Sequence, residues 1–404
     1  MSTNNRYLGG ILLVAGTCIG AGMIGVPVKT AAAGFYPTLL AFVVVWGIMT
    51  ISALLFLEAS LAFPGETNFI SMTKATLGST GKNIAWLASL FYMYSMMASY
   101  TTGGATMIVE LLKVNVNVSI IIYLLPFILM LYLGAKWLDL VNRFLTIGLI
   151  GSFILLCFSI LIGAHSLQPV STLHINTHIN HSVHVLTFAL PLLVTTFGYH
   201  VIIPSLKFYL HEDVSILKKT ILIGSAIPLV VYVVWQIVVL LLIPIFGDEG
   251  LVSMLSANKN PGDSITSYLL KYGQHKSVLV SLIIFTFCAI SSSLIGVAWS
   301  LYDFFADGFN ITKNNIGKLI LISLTFVPPI IYAVIFPQGF LKALSLSGAF
   351  ATIVMIIYPA LMVYKIRYNK AVEQGSVKYK VPVGATLIIM IALFGAAVVL
   401  LGIC

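Results

Sequence analysis

Charge is what this sequence has least of. Of its 404 residues only 8% are Asp, Glu, Lys or Arg, whereas a soluble domain carries about 25%. So few charges cannot cover a surface that faces water, which excludes an ordinary soluble globule and makes lipid the solvent for most of the exterior. Acids are the scarcest, 12 against 21 Lys and Arg. The net charge of +9 does not mark a nucleic-acid binder, because the basic residues sit in short gaps between apolar runs and form no single patch. Cysteine is also rare. Cys18, Cys157, Cys288 and Cys404 fall inside or at the end of apolar runs without Cys-x-x-Cys spacing, so they read as isolated buried thiols. The first apolar run lacks a small-residue cleavage site and is too long for a signal peptide, so it reads as a retained membrane helix.

What is present is long apolar sequence. Hydrophobic residues make up 59% of the chain, and the mean hydropathy is +1.06. A span needs about 20 apolar residues. This predicts eleven helices, near 8–33, 36–63, 83–112, 119–134, 142–165, 183–207, 219–246, 275–303, 316–336, 339–363 and 383–404. The longest connections are then 64–82, 166–182, 247–274 and 364–382. Placing the N-terminus inside puts fifteen of the 21 Lys and Arg residues on the inner side and six on the outer. That bias predicts a cytoplasmic N-terminus and a C-terminus on the opposite side.

Two helices carry the means to break. The first contains Gly16-Thr17-Cys18-Ile19-Gly20-Ala21-Gly22-Met23-Ile24-Gly25-Val26-Pro27, and the sixth contains Thr195-Thr196-Phe197-Gly198-Tyr199-His200-Val201-Ile202-Ile203-Pro204. Each has mid-span glycine followed by proline, and the two stand five helices apart. An odd-numbered repeat unit inverts its second copy, so 1–165 and 183–363 are expected to form a 5+5 inverted repeat. Residues 364–404 then supply an inner loop and an eleventh helix, all within one membrane domain. Paired Gly/Pro-interrupted segments of this kind point to a transporter's substrate site.

The segment from Gly20 to Gly25 matches GxGxxG, but no strand precedes it and no acid follows about 20 residues on, so a dinucleotide site is excluded. Two readings stand for Gly20-Ala21-Gly22: close packing of helices by small residues, or an unwound turn. The turn leaves N–H groups at a half-helix N-terminus, which favour a carboxylate, with Thr17 adding a hydroxyl. In the sixth helix Thr195, Thr196, Phe197, Gly198, Tyr199 and His200 cluster at the break. An ionisable residue inside a span is functional by default, so His200 is a candidate for binding or for handling a proton. Glu58 is the one acid well inside a span. It is either a tie between helix 2 and neighbouring backbone or a proton carrier. Ser292 and Ser293 offer hydroxyls for a cation such as Na⁺, or bond back to their own helix. Aromatics gather on helix 3 (Phe91, Tyr92, Tyr94, Tyr100) and on helix 8 (Trp299, Tyr302), as packing, interface belt or stacking partners of a substrate. His165, His174, His178, His181 and His184 form a His-rich outer segment that lacks Cys or acid, so it reads as a solvated loop and not as a metal site. No metal or other cofactor is expected, and no helix pairs His with acid at a spacing that suits an enzyme.

Six motifs together resemble one family. Arg6-Tyr7-Leu8-Gly9-Gly10, the Gly16 to Pro27 segment, Asp139-Leu140-Val141-Asn142-Arg143-Phe144, Thr196-Phe197-Gly198-Tyr199-His200, Gly224-Ser225-Ala226-Ile227-Pro228 and Asp303-Phe304-Phe305-Ala306-Asp307 are similar to the bacterial aromatic amino acid permeases. Within these the tyrosine permeases are favoured and the tryptophan permeases are the near alternative. The resemblance runs from Arg6 to the last helix. It implies an all-helical LeuT-type fold with broken helices 1 and 6 and an eleventh helix. It also implies uptake of tyrosine or a related amino acid across a bacterial inner membrane by proton symport with alternating access; a sodium-coupled symporter is the rival. Gly20, Ala21 and Gly22 would meet the substrate carboxylate. Thr195, Phe197 and carbonyls at the second break would meet its ammonium and ring, with His200 nearby. Members of the family can carry a lysine in helix 5 shortly after the Asn-Arg-Phe motif. Here Leu149 stands in that place, which shifts the coupling role to Glu58 or His200.

Overall fold

The computed structural model describes residues 3–20, 22–63, 69–162, 179–257, 265, 268, 276–368 and 379–403. Among the described residues the regular structure is all helical. In chain order the helices are α1 (Thr3–Cys18), α2 (Gly22–Thr30), α3 (Phe35–Leu61), α4 (Phe69–Leu112), α5 (Val116–Leu133), α6 (Ala135–Ile162), α7 (Ile179–Thr196) and α8 (Ile203–Tyr209). They are followed by α9 (Val214–Leu242), α10 (Leu251–Ser256), α11 (Lys276–Gly308), α12 (Asn315–Ile335), α13 (Phe340–Thr352), α14 (Tyr358–Tyr368) and α15 (Ala385–Ile403).

Sequence chemistry sets where these helices start. Asn115 accepts from the Asn117 amide at 2.9 Å, Asp213 from the Ile216 amide at 3.0 Å and Asn314 from the Gly317 amide at 2.7 Å. Each thereby satisfies an amide that the first helical turn cannot. Pro204 sits in the first turn of α8, where its missing N–H costs nothing.

Nine of the described helices are long and apolar enough to cross a membrane, or ten if the pair Arg6–Cys18 and Gly22–Ala33, bent by 50°, is one span. The expected third span, 83–112, is the later part of α4. It is not among the ten, because its buried face is built from Ser95, Ser99, Thr101, Thr102, Gly103, Gly104 and Thr106. The expected loop at 64–82 is corrected: α4 starts at Phe69 and kinks at Gly78, whose φ of 75° and ψ of −170° suit glycine. Lys74 and the small polar residues around it make a short surface helix that reads as a loop in a hydropathy pattern. The expected loops at 247–274 and 364–382 also lose residues, to α10 and to the end of α14.

A further irregularity lies in the tenth expected span. Between α13 and α14 the backbone widens into a π-helical turn, Ile353–Ile357. Ser52 of α3 donates to the Met355 carbonyl at 2.5 Å within that turn, the kind of outside partner that such a bulge leaves room for.

These elements position the site. α1 lies along α9, and α2 along α7 and α9. α11 packs on α6 and α4, while α13 bridges α4 and α7. Small residues set the closest approaches. A Cβ at Gly104 would run into the Tyr123 ring, one at Gly103 into Phe340, and one at Gly348 into the Pro191 carbonyl.

Candidate functional site

The first break falls where the glycines stand. α1 ends at Cys18 and α2 begins at Gly22; Ala21 lies outside the described residues. Gly20 abuts α11 so closely that a Cβ there would collide with the Ser293 hydroxyl. A Cβ on Gly22 would come within 3.0 Å of the Thr196 hydroxyl oxygen. The two glycines therefore serve close approach to different neighbours, one toward α11 and the other toward the second break.

The second break follows Thr196. Gly198 and Tyr199 leave the helix, a 3₁₀ turn covers His200–Ile202, and α8 resumes at Ile203. A Cβ on Gly198 would lie 3.0 Å from the Met355 sulfur and 3.0 Å from the Thr195 carbonyl. The π-helical turn is thus packed against this break.

One side chain joins the two breaks. The Tyr232 hydroxyl of α9 lies 2.7 Å from the Cys18 carbonyl and 2.8 Å from the Thr196 carbonyl, the last residues of α1 and α7. One turn on, Trp235 donates from Nε1 to the Met23 carbonyl at 2.9 Å. The Phe197 ring meets Tyr232 edge-on at 5.1 Å and Phe42 at 6.5 Å. On the facing side Tyr92 and Tyr100 of α4 and Tyr123 of α5 are buried, with the Tyr100 hydroxyl beside Ser293. The surroundings of the breaks are therefore aromatic, with hydroxyl groups and helix termini as the polar elements.

The other expected residues are placed as follows. Thr17 is exposed and its hydroxyl bonds back to the Leu13 carbonyl at 2.7 Å; Thr195 and Thr196 likewise bond back to Pro191 and Leu192. Ser292 donates to the Ala289 carbonyl at 3.3 Å, the back-bonding alternative. Tyr199 and His200 are fully buried and turn toward α3 and α9. There the Trp46 indole and the Thr50 hydroxyl both meet the Ser225 hydroxyl. The Tyr199 hydroxyl faces the Ser225 and Thr50 hydroxyls and the His200 ring faces the Met49 backbone, without closing a hydrogen bond of ordinary geometry. Leu149 is buried in α6. His165, His174 and His178 lie outside the described residues; His184 packs its ring on Phe188. Of the expected aromatics, Phe91 stacks on Phe350, Tyr94 donates to the Leu324 carbonyl at 2.7 Å, and Trp299 stacks on Tyr302.

Glu58 has strong partners. Arg367 donates to it from Nε at 2.6 Å and from Nη2 at 2.5 Å, and the Val381 amide adds a third bond at 2.7 Å. Arg367 also donates to the Val381 and Val383 carbonyls at 2.8 and 2.6 Å. Lys207 is the second buried cation of note. It donates to the Ser60 and Phe63 carbonyls at 3.1 and 2.8 Å, favourable charge at the C-terminus of α3. At the end of α11, Lys313 reaches Asp303 at 2.7 Å, and this hydrogen bond raises the lysine above its ordinary pKa.

Tyr232, Trp235, Arg367 and Lys207 were missed from sequence. One signal was available for α9: Ser225, Tyr232, Trp235 and Gln236 place polar tips on a single face of an otherwise apolar helix.

Two helices broken at mid-span and tied to each other inside an apolar helical body define a membrane transporter of the LeuT-type fold. The model of the tryptophan/tyrosine permease family matches residues 3–402, and the chain belongs to that family. It is 31% identical over 401 residues to the tryptophan-specific transport protein of Haemophilus influenzae, covering 96% of this chain and 93% of the relative. It is 28% identical over 401 residues to tyrosine-specific transport system 1 of the same organism, covering 98% and 96%. Among solved structures, a mutant of the Eremococcus coleocola manganese transporter superposes with a TM-score of 0.65 at 13% identity, covering 98% of this chain and 85% of that one. That likeness concerns the fold. The chain is thus a multi-pass transporter of the tryptophan/tyrosine permease family in a bacterial inner membrane, and not an enzyme.

Proposed function

We propose that this permease imports tyrosine, with tryptophan the alternative, by proton symport and alternating access, its N-terminus cytoplasmic and its C-terminus periplasmic. The observation that carries the substrate half is the meeting of opposite helix ends at the breaks. α2 starts at Gly22 beside the ends of α1 at Cys18 and α7 at Thr196. A helix N-terminus favours a carboxylate and a helix C-terminus favours an ammonium, so an amino acid's zwitterion has a complement for each charge. The aromatic wall of Phe197, Tyr92 and Tyr100 suits a ring.

For the coupling half we propose His200, an ionisable side chain fully buried at the second break. Glu58 is the alternative, but a proton there would first have to loosen its three hydrogen bonds. Helices 1–5 and 6–10 in the sequence numbering are proposed to be inverted repeats, with the bundle that holds the breaks moving against α4, α6 and α11. A sodium-coupled cycle using Ser292 and Ser293 is the rival.

The test of the substrate reading is competition for uptake into proteoliposomes. Radiolabelled tyrosine is offered with excess unlabelled tyrosine, tryptophan, phenylalanine or a non-aromatic amino acid. Tyrosine is expected to compete best. Strong competition by the non-aromatic amino acid and none by the aromatic ones would overturn it.

A further inference from the structure

The breaks in α1 and α7 strip two carbonyls of their ordinary donors. In an unbroken helix the Cys18 carbonyl would accept from residue 22 and the Thr196 carbonyl from residue 200. Here one phenol serves both, with the Tyr232 hydroxyl at 2.7 Å from the first and 2.8 Å from the second. A phenol owns a single hydrogen, so it satisfies one of the two fully, or shares itself between them. Each acceptor also lies at the negative end of a helix, worth about half a charge. Two such ends converging on one neutral hydroxyl make a place that favours a cation with several hydrogens.

We propose that Tyr232 is a positioning residue that stands in for the substrate's ammonium group in the empty carrier. It pins the ends of α1 and α7 together until an ammonium, with three hydrogens, takes over the Cys18 and Thr196 carbonyls. The inference rests on the amino acid reading above and adds a step to it. Net uptake requires the carrier to return empty, and during that return no ammonium is present to meet the two carbonyls. Exchange of one substrate molecule for another never passes through the empty return. The ring is held independently of its hydroxyl, edge-on to Phe197 at 5.1 Å, so loss of the oxygen alone is a clean probe.

The experiment has two arms on purified full-length protein. In the first, Tyr232→Phe is reconstituted into liposomes, and net uptake and exchange of tyrosine are measured beside wild type. Net uptake is expected to fall roughly 2- to 10-fold, the worth of one hydrogen bond, while exchange stays near wild type. Equal loss in both modes would overturn the proposal, as would no loss in either. The second arm needs no substrate. Hydrogen–deuterium exchange of the empty protein is expected to speed up at 19–23 and at 197–200 together in Tyr232→Phe. Unchanged exchange at both breaks would overturn the proposal even if the carrier moved another substrate. Wild type that moves neither tyrosine nor tryptophan would sink the substrate reading instead, leaving the second arm to decide this one. If Tyr232→Phe is not monodisperse, Tyr232→Leu, which likewise has no donor, replaces it in both arms, and slowed net uptake with normal exchange is again the supporting result.

Discussion

Glu58 and Arg367 form a buried bidentate pair, with guanidinium nitrogens 2.6 and 2.5 Å from the two carboxylate oxygens. The pair links an early helix, α3, to the end of the chain, because Arg367 also holds the Val381 and Val383 carbonyls ahead of α15. Both side chains are almost sealed from solvent, 0% exposed for Glu58 and 5% for Arg367.

Breaking that pair from one side leaves an uncompensated buried charge, at a cost of about 3–5 kcal/mol. Arg367→Met is expected to lower the melting temperature sharply. Glu58→Gln places an amide among groups that donate and is expected to do the same, and the double variant should recover part of the loss. Thermal unfolding in detergent checks this. The same Glu58→Gln protein decides its other role: a tie leaves the pH dependence of residual uptake as in wild type, whereas a proton carrier loses proton-driven uptake and keeps exchange.

Gly20 and Ser293 give a prediction in which two losses offset. Gly20→Ala alone drives a methyl into the Ser293 hydroxyl, and overpacking of this kind costs about 1–3 kcal/mol. Transport by Gly20→Ala is expected to drop about tenfold, and Ser293→Ala added to it should restore much of the activity by removing the obstructing oxygen. Ser293→Ala by itself tests the sodium rival, since unchanged uptake excludes its hydroxyl as an essential ligand. Gly22→Val is the harsher change. Its side chain would fill the turn against Thr196, and substrate affinity measured by binding of radiolabelled tyrosine should fall beyond detection.

His200 carries the coupling prediction. His200→Phe keeps a ring in the buried space and removes both nitrogens. Uptake by this variant is expected to stop responding to an imposed pH gradient, while substrate exchange continues. Wild-type pH dependence in the variant would assign coupling elsewhere, with Glu58 next.

The breaks were legible in the sequence because glycine and proline are costly inside an apolar span. Gly20, Gly22, Gly198 and Pro204 allowed either close helix packing or backbone that leaves the helix, and their pairing in two spans five helices apart favoured the second. Expected span limits such as 36–63 lie close to the observed Phe35–Leu61 for the same reason: apolar length shows directly in sequence. The partners of the polar residues were not legible. Tyr232 meets Cys18 and Thr196 across 214 and 36 positions, and Arg367 meets Glu58 across 309. No local pattern encodes such distances. The π-helical turn at Ile353–Ile357 was hidden too, because its residues are as apolar as any in a straight helix. The early helix in α4 was lost because Ser71, Thr73, Lys74 and Thr76 read as a loop when hydropathy alone is consulted.

The ion that drives the substrate through these breaks is the central point to be measured. The direct measurement is tyrosine uptake into proteoliposomes under an imposed pH gradient, acid outside, without sodium, and then under a sodium gradient at equal pH. The account predicts uptake above the equilibrium level in the first condition and only equilibration in the second. Accumulation driven by sodium and indifferent to the pH gradient would contradict it.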